Sequence, residues 1–97
     1  MMTMNVQELL DQVVAVLPIS QDEVIYKGIA AGVSERIVEL KRASGRLQAN
    51  YDSTSQLEQL MAARGVSPDN HTLYTDLLEW RAIDAELIEL FHLLEIM

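Results

Sequence analysis

Glu89 and His92 stand three residues apart in the run Glu89-Leu90-Phe91-His92. On a helix, that spacing aims both side chains at one point. Glu-x-x-His is the element with which carboxylate-bridged di-metal bundles hold their ions. Such a site needs further inward carboxylates from neighbouring helices. Glu35 and Glu39 are the apparent suppliers upstream, and they do not repeat the motif. A symmetric dimer would double the single motif. Without one, His92 is an ordinary helix residue beside Glu89 and Glu95. Ser67, Asp69, His71 and Thr72 cluster along the chain, but a catalytic triad needs convergence in space rather than in sequence. Helix capping accounts for the same residues. The four glycines fall inside or just after helical patterns, so no glycine-rich phosphate loop is present. The chain contains no cysteine, which excludes disulfides and thiolate metal sites.

Glu35/Glu39 and Glu86/Glu89 also resemble the paired carboxylates of all-α nucleotide pyrophosphohydrolases, which hold Mg²⁺. Those enzymes add further acidic ligands at tight spacing and a Lys or Arg for phosphate. Solvated helix faces produce the same pairs. The residues therefore give no catalytic, cofactor-binding or metal-binding assignment. A metal-dependent hydrolase or oxidase built on the carboxylates and His92 stays an alternative.

The elements that would position these groups are long helices. Tyr26, Ala30, Val33, Ile37, Leu40, Ser44, Leu47 and Tyr51 repeat in four-three alternation. So do Leu73, Leu77, Trp80, Asp84, Leu87, Phe91 and Leu94. A period near 3.5 places each series on one stripe of a helix. The core or oligomer seam then falls on Val33, Ile37, Leu40 and Leu47 of the first, and on Leu77, Trp80, Leu87, Phe91 and Leu94 of the second.

A short first helix is predicted over Val6 to Leu17, capped by Asn5 or Thr3 and ended by Pro18. Ser20-Gln21-Asp22-Glu23 has the form of a capping box, opening a helix that runs to about Asn50. Gly28 and Gly32 inside it cost roughly 1 kcal/mol each against Ala, and their i, i+4 spacing leaves a smooth groove for another helix. A short helix follows from Ser55 to Arg64, burying Leu57, Leu60 and Met61 and stopped by Gly65. Val66-Ser67-Pro68-Asp69-Asn70 reads as a turn, and a last helix begins at His71 or Thr72.

The fold class is therefore all-α. One helical domain is expected over residues 1–97: a long antiparallel hairpin with a short N-terminal helix and a short connecting helix. Aligning Tyr51 with Leu73 sets Ser44 opposite Trp80 and Leu40 near Asp84. Asp84 then either pairs with Lys41 or a partner chain, or turns to water; an unpaired buried carboxylate is costly, which favours water. Two such long helices cannot cover both of their apolar faces, so a homodimeric bundle is expected.

Charge narrows the partners. The net charge is −8; residues 1–50 sum to −1 and residues 51–97 to −7. Arg36, Lys41, Arg42 and Arg46 form a single basic cluster, interleaved with Glu35 and Glu39. Nucleic-acid binding needs a broader positive stripe. The cluster instead suits a position facing the acidic last helix, inside the chain or across a dimer. No apolar run reaches the ~18–20 residues of a membrane span. Met1 to Val16 lacks Lys and Arg and is broken by Glu8 and Asp11, unlike a signal peptide. A cytoplasmic protein without membrane contact is expected.

The C-terminal half carries a family likeness. Leu47-Gln48-Ala49-Asn50-Tyr51-Asp52-Ser53 closes a long helix, and Leu57-Glu58-Gln59-Leu60 forms a short one. His71-Thr72-Leu73-Tyr74-Thr75-Asp76-Leu77-Leu78-Glu79-Trp80-Arg81-Ala82 then leads into a Leu- and Glu-rich helix. This resembles small acidic all-helical antitoxin-like proteins encoded beside a toxin. Those carry Tyr-Gly-x-Ser after the first long helix; Tyr51-Asp52-Ser53 lacks the glycine. The resemblance implies a non-enzymatic protein that lays an acidic helix over a basic partner. On this chain the partner-binding residues would be Asp76, Glu79, Asp84, Glu86 and Glu89. An acidic face steers a basic partner. A self-assembling structural or adaptor protein is the alternative, with Gly28 and Gly32 marking a close subunit contact.

Overall fold

A computed structural model, describing residues 3–65 and 71–97, is all-helical and has no strand among those residues. Its helices are α1 (Val6–Val16), α2 (Gln21–Tyr51), α3 (Thr54–Arg64) and α4 (His71–Ile96). The turn predicted over 66–70 lies outside the described residues. Among the described residues, no helix is long and apolar enough to cross a membrane. The chain divides into two compact units, Met1–Ser34 and Glu35–Met97.

Local chemistry sets the helix ends. The Asn5 side chain accepts from the Glu8 amide at 2.8 Å and caps α1. Leu17 is extended, at φ −92° and ψ 144°, because the residue before Pro18 is pushed out of the helical region. The helix thus ends one residue before the predicted Leu17. The Ser20 hydroxyl accepts from the Glu23 amide at 3.1 Å, the first half of the capping box. At the far end of α2, Asp52 adopts φ 68°, the left-handed region in which glycine is favoured. Its amide donates to the Gln48 carbonyl at 2.8 Å, and the Ser53 amide donates to the Tyr51 carbonyl at 2.9 Å. Ser53 then caps α3 by accepting from the Gln56 amide at 3.1 Å. Gly65, at φ 73°, stops α3 as predicted, its amide donating to the Met61 carbonyl at 2.8 Å.

Among its described residues, the first unit has partial packing but no fully buried side chain. Leu10, Val13, Val14 and Val24 are half-buried, and no residue of α1 is fully buried. Val6 and Val16 remain 84% and 81% exposed.

The second unit has a true core. Leu40 and Leu47 of α2, Leu57 of α3, and Leu73, Leu77, Trp80 and Ile83 of α4 form one cluster. Leu57 is wholly enclosed. Each such side chain contributes roughly 1.5–3 kcal/mol by leaving water. Leu60 and Met61, expected to be buried, are half-buried against the cluster, as is Leu87, and Ile37 is also buried. Asp84 faces solvent, the favoured of its two alternatives, and Ile83 is buried in its place. The helix turns an apolar side chain inward and leaves the carboxylate hydrated, as the cost of burying an unpaired charge requires. Beyond that point Leu87 and Leu90 pack on the core, whereas Phe91, expected in the seam, is exposed. Leu94 and, in the first unit, Val33 are half-buried.

Candidate functional site

Helix α4 positions the five acidic residues expected to bind a partner, and the structure separates them. Asp76, Glu79 and Glu86 follow each other at three- and seven-residue spacing, which keeps them on one flank of the helix. All three line a groove whose other wall is α2. Asp84 and Glu89 are exposed and line neither part of it.

The groove consists of two adjoining cavities, of about 380 and 240 Å³, sharing Ala43, Arg46 and Glu79. Leu40, Leu47 and Ile83, buried in the core, form its floor with the small side chain of Ala43. Two of its three α4 carboxylates are already engaged. Arg36 holds Glu86 with two hydrogen bonds, Nε to Oε2 at 2.5 Å and NH2 to Oε1 at 3.0 Å. Its NH1 also reaches Glu39 at 3.1 Å. This paired guanidinium stabilises the Glu86 carboxylate and lowers its pKa below the usual value. At the other end, the Tyr51 hydroxyl donates to Asp76 Oδ2 at 2.5 Å. That bond holds the phenolic proton and raises the Tyr51 pKa, with burial and the Asp76 charge acting the same way. Between these two clasps, Glu79 and Arg46 have no hydrogen bond or ion pair among the described residues.

The basic cluster therefore faces the acidic helix inside the chain, through Arg36 and Glu86. Lys41 does not pair with Asp84; its ammonium sits 5.4 Å from the Phe91 ring centroid. Arg81 of α4 reaches Glu58 of α3 at 2.5 Å. Neither contact was marked by the sequence, because each joins residues of opposite character with no fixed spacing. Tyr51 and Asp76 were both visible, one in a stripe and one on a polar face; only packing joins them.

Glu89 and His92 are both exposed on the last turns of α4, and Glu35 and Glu39 are exposed on α2. No group of three His, Asp or Glu side chains among the described residues is placed to hold a metal ion. Ser67 and Asp69 lie outside the described residues. An apolar floor between carboxylate and guanidinium walls suits the docking of an amphipathic segment, with side chains of either charge at its edges. No protein-family model, curated protein or solved structure matches the chain.

Proposed function

We propose that this chain is a non-enzymatic, cytoplasmic protein-binding module of the antitoxin-like kind, which neutralises or holds a basic partner. The observation that carries this reading is the groove between α2 and α4. Three α4 carboxylates line it, its floor is apolar, and Glu79, with Arg46, stands at its centre without a partner among the described residues. A basic amphipathic segment fits that chemistry. Its apolar residues would cover Leu40 and Ile83, and a Lys or Arg would meet Glu79.

The reading includes an antiparallel hairpin of α2 and α4. Two contacts support it: Arg36 meets Glu86 and Tyr51 meets Asp76, so advancing along α2 means retreating along α4. The same two contacts support a register within a turn of the expected pairing of Tyr51 with Leu73. It also includes a homodimer, since broad apolar surface stays open to water, and it excludes direct nucleic-acid binding.

Co-expression with the products of neighbouring genes, followed by affinity purification, tests the function. A basic protein should be retained in stoichiometric amount. Its affinity should fall as salt rises and should drop about tenfold or more in Glu79→Lys, since close charge pairs at interfaces carry energies of that order. Absence of any bound neighbour, or binding indifferent to both salt and Glu79→Lys, overturns the reading.

A further inference from the structure

We infer that the segment received by the groove between α2 and α4 is a mixed-charge helix. It carries two bases one turn apart on the flank that meets α4, and a carboxylate on the flank that meets α2. The inference rests on the basic-partner reading above and deepens it. Arg46 is the reason for the carboxylate. It lines both cavities from the α2 wall, as Glu79 does from the α4 wall. Neither side chain has a hydrogen bond or ion pair among the described residues. The other guanidinium of the groove is occupied, because Glu86 and Glu39 hold Arg36. A segment carrying only bases would satisfy Glu79 but set a cation against Arg46 over an apolar floor. Like charges juxtaposed in that way oppose binding.

The α4 carboxylates set the spacing of the bases. Asp76 and Glu79 are three residues apart, about 4.5 Å along the axis at 1.5 Å per residue. A helix lying beside α4 repeats its own flank at that interval, so bases three or four residues apart reach both. Asp76 accepts one hydrogen bond from the Tyr51 hydroxyl, and a carboxylate has room for more. Glu86 is already engaged by Arg36 and calls for no further base. Four carboxylates line the groove against two guanidiniums, so the segment needs more bases than acids. Between its two flanks an apolar stripe covers Leu40 and Ile83, where the small side chains of Ala43 and Ala82 leave space.

The test is fluorescence anisotropy of labelled synthetic helices against the full chain. All share one length and one apolar stripe. The first has two Lys one turn apart on one flank and a Glu on the other. The second moves that Glu to the solvent-facing side and so keeps the net charge. The third replaces it with Lys. Wild type should hold the first about tenfold more tightly than the second, since only the first brings its Glu to Arg46, and should hold the third most weakly. In Arg46→Glu the order should reverse, with the third bound best. Ala82→Phe, at an exposed position, fills the groove and should weaken all three while circular dichroism stays unchanged. Peptides bound alike, loosened by Glu79→Lys yet no weaker for the first in Arg46→Glu, overturn this inference and leave the basic-partner reading standing. Binding that falls as protein concentration rises makes a second copy the occupant and overturns the inference. No binding by any of the three overturns it together with the reading beneath it.

Discussion

Residues 1–34 and 35–97 are built from the same material and end in different states. Both are helical, and both carry apolar residues at helical spacing. The second unit buries eight large apolar side chains, Trp80 among them; α1 buries none. Three helix segments can enclose a residue such as Leu57 on all sides, whereas two can only cover each other's facing stripes. Amphipathic pattern therefore fixes helices in both regions, but only the number of neighbours decides which becomes a core.

The largest expected effect breaks the second unit alone. Trp80→Ala should destabilise it by about 3–5 kcal/mol, as large core truncations do. Val6→Ser in the arm should stay within about 0.5 kcal/mol, as exposed positions do. Urea denaturation followed by circular dichroism measures both. Equal losses would mean that the arm shares the core's cooperativity.

Next in size are changes to the backbone. Asp52→Gly should stabilise the second unit by about 1 kcal/mol, because it relieves a left-handed residue that bears a side chain. Gly45→Ala should give a gain of similar size, about 1 kcal/mol, since a Cβ there meets open space. Gly28→Ala sharpens the contrast. It should strengthen its helix in the same way, yet loosen self-association if two copies approach there. Denaturation midpoints against light-scattering mass separate the two outcomes.

The smallest effects are electrostatic, because the groups involved are largely exposed. Glu86 has a lowered pKa in the folded chain. Its contribution is complete above the ordinary carboxylate range and is lost as pH falls through the folded value. Tyr51 is shifted upward. Its contribution is complete below the usual tyrosine value of about 10 and is lost as pH rises through the folded value. Urea midpoints measured across pH should show a shallower acid slope in Glu86→Gln and a shallower alkaline slope in Tyr51→Phe. Unchanged slopes in both would remove these two clasps from the stability of the second unit.

The helix ends were legible because capping is local. Asn5, the Ser20 hydroxyl and Gly65 act on backbone groups within four residues of themselves. The apolar stripes were legible for the same reason, as far as Trp80. Beyond it, the turn of Asp84 to water followed from the cost of burying an unpaired carboxylate, but the exposure of Phe91 did not, since only the packed neighbours decide which apolar side chains are covered. Of the five acidic residues, the sequence marked the helix that carries them. It could not say that Asp76 and Glu86 would be claimed by Tyr51 and Arg36, leaving Glu79 between them.

By itself, then, the sequence determined four helices, most of their caps and the acidic character of the last one, because these follow from periodicity, short-range hydrogen bonding and charge. Tertiary structure decided which stripe became a core, which carboxylates were engaged and where apolar surface stayed open. Those outcomes depend on how many helices crowd a given residue, and that number is a property of packing between segments distant in the chain.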